Sequence, residues 1–390
     1  MKPEDASKVR KIMARFAEAT GLTPVGKLPR RYLWTDAFAL CNFLELYRQT
    51  GEEGYRDQAL RLVDQVHGLL GRHREDDRRT GWISGLSEQE GQRHPTIGGL
   101  RIGKEMNERR PDEPLDDRLE WDRDGQYFHY LTKWMHALNR MSRVTEDSKY
   151  NEWAIELAKT AQARFTYIPS FGRRKRMYWK MSIDLSYPLV PSMGQHDPLD
   201  GYITFCQLQD TAERFFKKST GADLKIEIAD LAEMCEGQSW VTDDPLGIGG
   251  LLFDANRLAQ LMAEGTLRQT DLLKILLDSA RLGLESYSRT SPWKLPAEYR
   301  LAFRELGLSI GLRAVKKVQA MVEENADLVT TADTVRTSIT ALMGFEPLTE
   351  TIEQFWQEPA SQAAKSWTEH LEINRVMLAT SLAPEGFLSL

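Results

Sequence analysis

Acidic, imidazole and indole side chains recur in this sequence just ahead of apolar helical runs. Trp34 and Asp36 open one run, Trp121, Asp122, Asp124 and His129 a second, and His196, Asp197 and Asp200 a third. Trp240, Asp243 and Asp244 open a fourth, Trp293 and Glu298 a fifth, and Trp367, Glu369 and His370 a sixth. Indole faces stack on the C–H faces of sugar rings, carboxylates accept from sugar hydroxyls, and two carboxyls can divide the acid and base roles of glycoside hydrolysis. For any one Asp the plainer account is an N-cap or first-turn residue, favoured by free N–H groups and the helix dipole. For any one Trp it is packing. The coincidence of both types at most openings is what points to a saccharide.

The elements that must position these residues are helical hairpins. Residues 38–63 lie over residues 133–158 without a gap, Thr50 falling on Thr145 and Tyr55 on Tyr150, which is an internal repeat of helix, polar turn and helix. Residues 36–49 are apolar nearly all round and are expected to be buried on most sides. Residues 54–72 carry one apolar stripe (Tyr55, Ala59, Leu62, Val63, Val66, Leu70) opposite a charged face, and 150–165 repeat it. Further pairs are expected at 200–218 with 222–236, at 246–264 with 269–287, and at 297–314 with a partner in 316–345. The N-terminal helix (Val9, Ile12, Met13, Phe16) and the run 369–382 each lack a partner, so pairing them closes a ring of six. The predicted fold is all-α: a single (α/α)6 toroid over residues 1–390, with buried inner and amphipathic outer helices. Its inner helices run parallel, which gathers the six openings at one mouth. An open solenoid would show more uniform inter-hairpin loops.

The segments LWTDAF and EWDRDGQYFHYL within this six-hairpin layout resemble the six-hairpin glycosidase-like superfamily. The resemblance covers nearly the whole chain and concerns architecture; it implies the toroid fold and a funnel-shaped site.

Two connectors border the expected mouth. Residues 72–120 are rich in Gly, Pro, Arg and Asp, and at that length are expected to be functional. Apolar anchors such as Trp82 and Leu100 favour an ordered lid, with Arg93 and His94 near the cavity. Residues 177–202 carry Trp179 and Lys180 ahead of the third opening. Neither G-x-G-x-x-G nor a Walker motif occurs, and there is no H-E-x-x-H or G-x-S-x-G, so neither a nucleotide site, a metal nor a serine nucleophile is expected, and no cofactor is assigned.

The formal charge of −6, with both signs interspersed, argues against a nucleic-acid partner. The basic run Arg173–Arg176 reads as a solvated loop tip. No stretch approaches the ~18 uncharged apolar residues of a membrane span. Three distant cysteines, Cys41, Cys206 and Cys235, read as reduced residues of a cytoplasmic protein, monomeric or dimeric.

The function expected is a carbohydrate-active enzyme, a glycoside hydrolase or related lyase, with Asp124 and Asp197 as its carboxyl pair beside His129 and His196. Trp34, Asp36, Arg93, His94, Trp121, Asp122, Trp179, Lys180, Asp200, Trp240 and Asp243 are its expected substrate-binding residues. One alternative is a sugar epimerase or isomerase exchanging a proton through His129 and His196. Another is a non-catalytic toroid that binds a glycan, peptide or protein. A terpene-cyclase-like toroid has only the half-motif at Asp122–Gly125 in its favour.

Overall fold

The computed structural model describes residues 3–24, 29–170, 172, 174–215, 223–325 and 332–390. The described residues are 67% helical, and their strands are two or three residues long. It divides into two compact units, Ala17–Glu236 and Met1–Phe16 with Gly237–Leu390. The first helix is α1 (Pro3–Ala19).

The Ala17–Glu236 unit contains three hairpins: α2 (Leu33–Thr50) with α3 (Glu53–Leu70), α6 (Phe128–Thr145) with α7 (Ser148–Phe165), and α8 (Asp197–Phe215) with α9 (Lys225–Cys235). Two short helices, α4 (Glu88–Arg93) and α5 (Asp117–Asp122), lie in the long connector. Helix α6 packs between α2 and α8, while α3, α7 and α9 pack behind their own partners. Burial follows the two helix types read from sequence. Every residue of α2 from Leu33 to Leu46 is buried, whereas α3 buries only one face through Ala59, Leu62, Val63, Val66, His67 and Leu70.

The repeat read in the sequence is a structural repeat down to its turn. Gly51 and Glu146, which follow α2 and α6, both take left-handed φ, +69° and +56°. Just before them Thr50 Oγ1 donates to the Leu46 carbonyl and Thr145 Oγ1 to that of Met141.

Ahead of α6, β1 (Gln126–Tyr127) pairs antiparallel with β4 (Lys180–Met181), which also pairs with β5 (Pro188–Val190). A second small pair joins β2 (Thr166–Tyr167) to β3 (Arg176–Met177). Gly125 permits the first pairing: its φ is +146°, and a Cβ there would stand 2.7 Å from the Met181 carbonyl oxygen. The register sets Tyr127 opposite Lys180 and so brings Trp179 against the start of α6.

In the other unit α12 (Ala302–Glu324) packs between α10 (Pro245–Ala263) and α17 (Leu371–Leu382). Helices α11 (Thr270–Thr290), α13 (Ala332–Met343) and α14 (Glu346–Gln357) pack against this core. Short helices α15 (Pro359–Gln362), α16 (Lys365–Thr368) and α18 (Glu385–Leu388) complete it. The helix expected to start at 297 starts at Ala302 instead. Pro292 and Pro296 break the chain into two single 3-10 turns before it. Its single expected outer partner is two helices, α13 and α14. In α1, Val9, Met13 and Phe16 are buried, and Lys8 Nζ donates to Gln357 Oε1 of α14 at 2.5 Å.

Candidate active site around His129 and Asp197

Helices α6 and α8 each present two chemistry-bearing residues on one face. His129 and Lys133 are one turn apart on α6, and Asp197 and Asp200 one turn apart on α8. Packed together they make a two-rung ladder. The lower rung is an ion pair, Lys133 Nζ to Asp200 Oδ2 at 2.7 Å, with Thr132 Oγ1 also donating to that oxygen. The upper rung is open: His129 Nδ1 and Asp197 Oδ1 stand 3.7 Å apart, too far for a hydrogen bond.

Burial, with the lower rung beside it, sets the electrostatics of the upper one. Burial, reinforced by the neighbouring Asp200 carboxylate, pushes the Asp197 carboxyl up to about 7. Burial and the Lys133 ammonium push His129 down to about 3, Asp200 opposing them. At neutral pH the imidazole is therefore uncharged, and the carboxyl is close to its midpoint. His129 keeps 27% of its side-chain surface exposed and Asp197 7%.

Three buried polar atoms here, Asp197 Oδ2, His129 Nδ1 and Trp34 Nε1, have no hydrogen-bond partner among the described residues. Such atoms are costly and uncommon in a native interior. Asp197 Oδ2 is turned toward the backbone of Gly194, where a Cβ would lie 2.4 Å from it.

Aromatic rings line the approach. His129 packs edge-on to Tyr130 at 4.9 Å between centroids, lies 5.2 Å from Tyr127 and 6.1 Å from Trp34, and stacks on Trp179 at 6.3 Å. Tyr32 and Tyr130 share a hydrogen bond between hydroxyls at 2.7 Å. Trp121, 54% exposed, meets Trp179 edge-on at 5.5 Å.

The other expected residues serve different ends. Asp124 is fully buried and committed to four donors: Gly103 N at 2.9 Å, Gly125 N at 3.1 Å, Arg101 Nη1 at 2.9 Å and Arg74 Nη1 at 3.3 Å. It pins the long connector to the start of β1, so that of the two expected carboxyls Asp124 is held by these four donors while Asp197 faces His129. Asp36 accepts from Tyr32 N at 2.9 Å and faces Arg31 at 3.3 Å, an N-terminal bond of α2; burial holds its carboxyl up near 6 against the pull of Arg31.

Lys180 is buried and gives all three protons away: to the Glu120 carbonyl at 2.7 Å, to Glu120 Oε1 at 2.8 Å and to the Arg123 carbonyl at 2.8 Å. Arg93 and His94, expected at the cavity, lie against α7 instead. The Arg93 carbonyl accepts from Trp153 Nε1 at 2.7 Å, and His94 Nδ1 meets Glu156 Oε1 at 2.6 Å. The amphipathic outer helix thus holds that half of the connector. His196 is half-buried one residue before α8, its carbonyl accepting from Asp200 N. Asp122 is exposed at the end of α5. Trp240 and Asp243 belong to the other unit, Trp240 buried and Asp243 exposed. Arg173 lies outside the described residues.

Sequence reasoning missed Tyr32, Tyr127, Tyr130 and Lys133. The signal was present: Lys133 is four residues after His129, as Asp200 is three after Asp197, and both spacings select one helix face. Among the described residues no cluster of three or more His, Cys, Asp or Glu could hold a metal ion, and no helix is long and apolar enough to cross a membrane.

Comparison with solved structures decides the fold. The α-1,6-mannanase GH76A from Salegentibacter sp. HEL1_6 aligns over 97% of this chain and 99% of its own, with TM-score 0.52 and 14% identity. A family 76 glycoside hydrolase from a bovine Bacteroides thetaiotaomicron strain covers 99% of this chain and 78% of its own, with TM-score 0.53 and 11% identity. The chain has the (α/α)6 toroid fold of six-hairpin glycosidase-like proteins. A D-mannose isomerase shares it, with TM-score 0.50 and 12% identity over 98% of both chains. No family model and no curated protein matches the sequence. At these identities the likeness is one of fold, and the chemistry has to be argued from the side chains.

Proposed function

We propose that this toroid is a carbohydrate-active enzyme in which Asp197 transfers the proton and neutral His129 hydrogen-bonds the reacting oxygen. The observation that supports it is the open upper rung. Two titratable groups with pKa values driven apart, to about 7 and about 3, face each other beside aromatic rings, and each offers a buried polar atom with no hydrogen-bond partner among the described residues. A carboxyl near 7 is matched to acid–base work at neutral pH. The fold is shared with saccharide-acting enzymes, and an inactive variant of the mannanase is solved with α-1,6-mannotetrose.

The chemistry this pair supports best is isomerisation or epimerisation of a reducing sugar. Ionised Asp197 lifts the proton from the carbon beside the carbonyl, and the C–H electron pair moves toward the carbonyl oxygen. The ring N–H of His129 stabilises the charge that gathers there. Returning the proton to the other face of the same carbon gives the epimer; returning it to the former carbonyl carbon, while the neighbouring hydroxyl passes its proton by way of the His129 ring to the first oxygen, gives the isomer. Because Asp124 is consumed by its four donors, this route needs no second free carboxylate.

Glycoside hydrolysis is the second reading, favoured by the same high carboxyl pKa, which keeps Asp197 partly protonated as an acid for the leaving oxygen. The two separate on a pH–rate profile with reducing sugars and glycosides as substrates. Isomerisation requires the ionised carboxyl, so kcat/KM rises with pH through about 7; hydrolysis requires the protonated one, so it falls. Asp197→Asn should lower either activity by about 10²–10⁴-fold. No turnover of any sugar, or an Asp197→Asn enzyme as active as the parent, would remove this reading.

A further inference from the structure

We infer that Trp121 and Trp179 form a second sugar subsite outside the His129 site, so that the ligand is a disaccharide or longer chain rather than a single sugar ring. This rests on the saccharide reading above and narrows its substrate class. Three aromatic rings run without a break from solvent to the open rung. Trp121 meets Trp179 at 5.5 Å and 81°, and Trp179 stacks on His129 at 6.3 Å and 21°. A ring bound against His129 therefore has its neighbour in the chain over the two indoles.

The exposed indole is held in place by buried charge. Lys180 Nζ takes the carbonyl of Glu120, immediately before Trp121, and that of Arg123, two residues after it. It also takes Glu120 Oε1, while Arg109 Nε holds Glu120 Oε2 at 3.2 Å and the Asp116 side chain caps the start of α5. Burying an ammonium is costly, and burial lowers the Lys180 pKa here despite its carboxylate partner. What that cost secures is the position of α5, whose tryptophan remains 54% exposed. An indole fixed in advance beside the site loses little freedom when a ligand stacks on it, which is the condition for tight stacking. The exposed Asp122 carboxylate, next in sequence, can accept from hydroxyls of that second ring.

Binding of mannose, glucose, α-1,6-mannobiose and cellobiose to the full chain, followed by calorimetry and tryptophan fluorescence, tests this. The expected result is that at least one disaccharide binds about tenfold or more tighter than its monosaccharide. Trp121→Ala, at an exposed position, should abolish that preference. Lys180→Met, with Trp121 present but released, should reduce it. If the parent shows no preference, or the preference survives in Trp121→Ala, the second subsite is wrong while the saccharide reading stands. If neither monosaccharides nor disaccharides bind the parent, the saccharide reading falls and the subsite with it.

Discussion

Glu146 closes the α6–α7 turn in the left-handed conformation that Gly51 adopts between α2 and α3, 95 positions earlier in the gapless repeat. Glycine takes that conformation freely, whereas a residue with a Cβ is strained there. Glu146→Gly should therefore stabilise the protein by about 0.5–1 kcal/mol, part of the relief being offset by glycine's freedom in the unfolded chain. Gly51→Ala should destabilise by a similar ~1 kcal/mol through the backbone alone, since nothing lies within 4 Å of the Cβ it would add. Melting temperatures of the two variants check both signs. A lower value for Glu146→Gly would contradict the first.

That turn also shows how the sequence was informative. Periodicity reports burial, so the contrast between all-apolar 36–49 and striped 54–72 survives as α2 and α3. The openings were legible because acids and indoles cluster there, but which acid stays available was not. Asp124 and Asp197 look alike in sequence. They differ because Arg74, Arg101 and the Gly103 amide, from a connector with no periodicity, converge on the first. Long-range hydrogen bonds of that kind leave no local pattern. The displaced start of α12 had a visible cause in Pro292 and Pro296.

Asp124 and Asp197 should respond in opposite ways to the same substitution. Asp124→Asn places an amide group among four donors and leaves two guanidinium groups short of a charge, a loss on the scale of ~3–5 kcal/mol for a broken buried pair. The melting temperature should fall, and proteolysis should open the chain near residues 99–106. Unchanged stability would show that Asp124 does not pin the connector.

Asp197→Asn should instead stabilise, and more so at high pH. The folded carboxyl titrates near 7 and the unfolded one near ~3.9, so folding takes up a proton between those values and stability falls as pH rises through that window. Asn removes this dependence. The variant's advantage should be negligible below about pH 4, grow to the order of a few kcal/mol by pH 7–8 and then level off. His129 and His67, both pushed down to about 3, contribute the opposite slope below their ordinary range, and they do so in parent and variant alike. Denaturant unfolding from pH 4 to 8 measures the difference. A difference independent of pH would mean that Asp197 is ionised as easily in the folded chain as in the unfolded one.

Trp34 separates binding from stability most directly. Its ring packs on Phe38 at 5.3 Å and on Tyr130 at 5.3 Å, contacts that a phenyl group partly keeps. Its Nε1 is buried and has no acceptor among the described residues, so removing that N–H breaks no internal hydrogen bond. Trp34→Phe should cost stability only through lost volume, about 1 kcal/mol. A saccharide hydroxyl accepting from this N–H would contribute ~0.5–1.5 kcal/mol, so binding of a sugar beside His129 should weaken about three- to tenfold. The comparison that matters is Trp34→Phe against Phe38→Leu, which disturbs the same packing and retains the indole. Equal losses of sugar affinity in both would assign Trp34 to packing. A loss confined to Trp34→Phe would put its N–H in contact with the ligand.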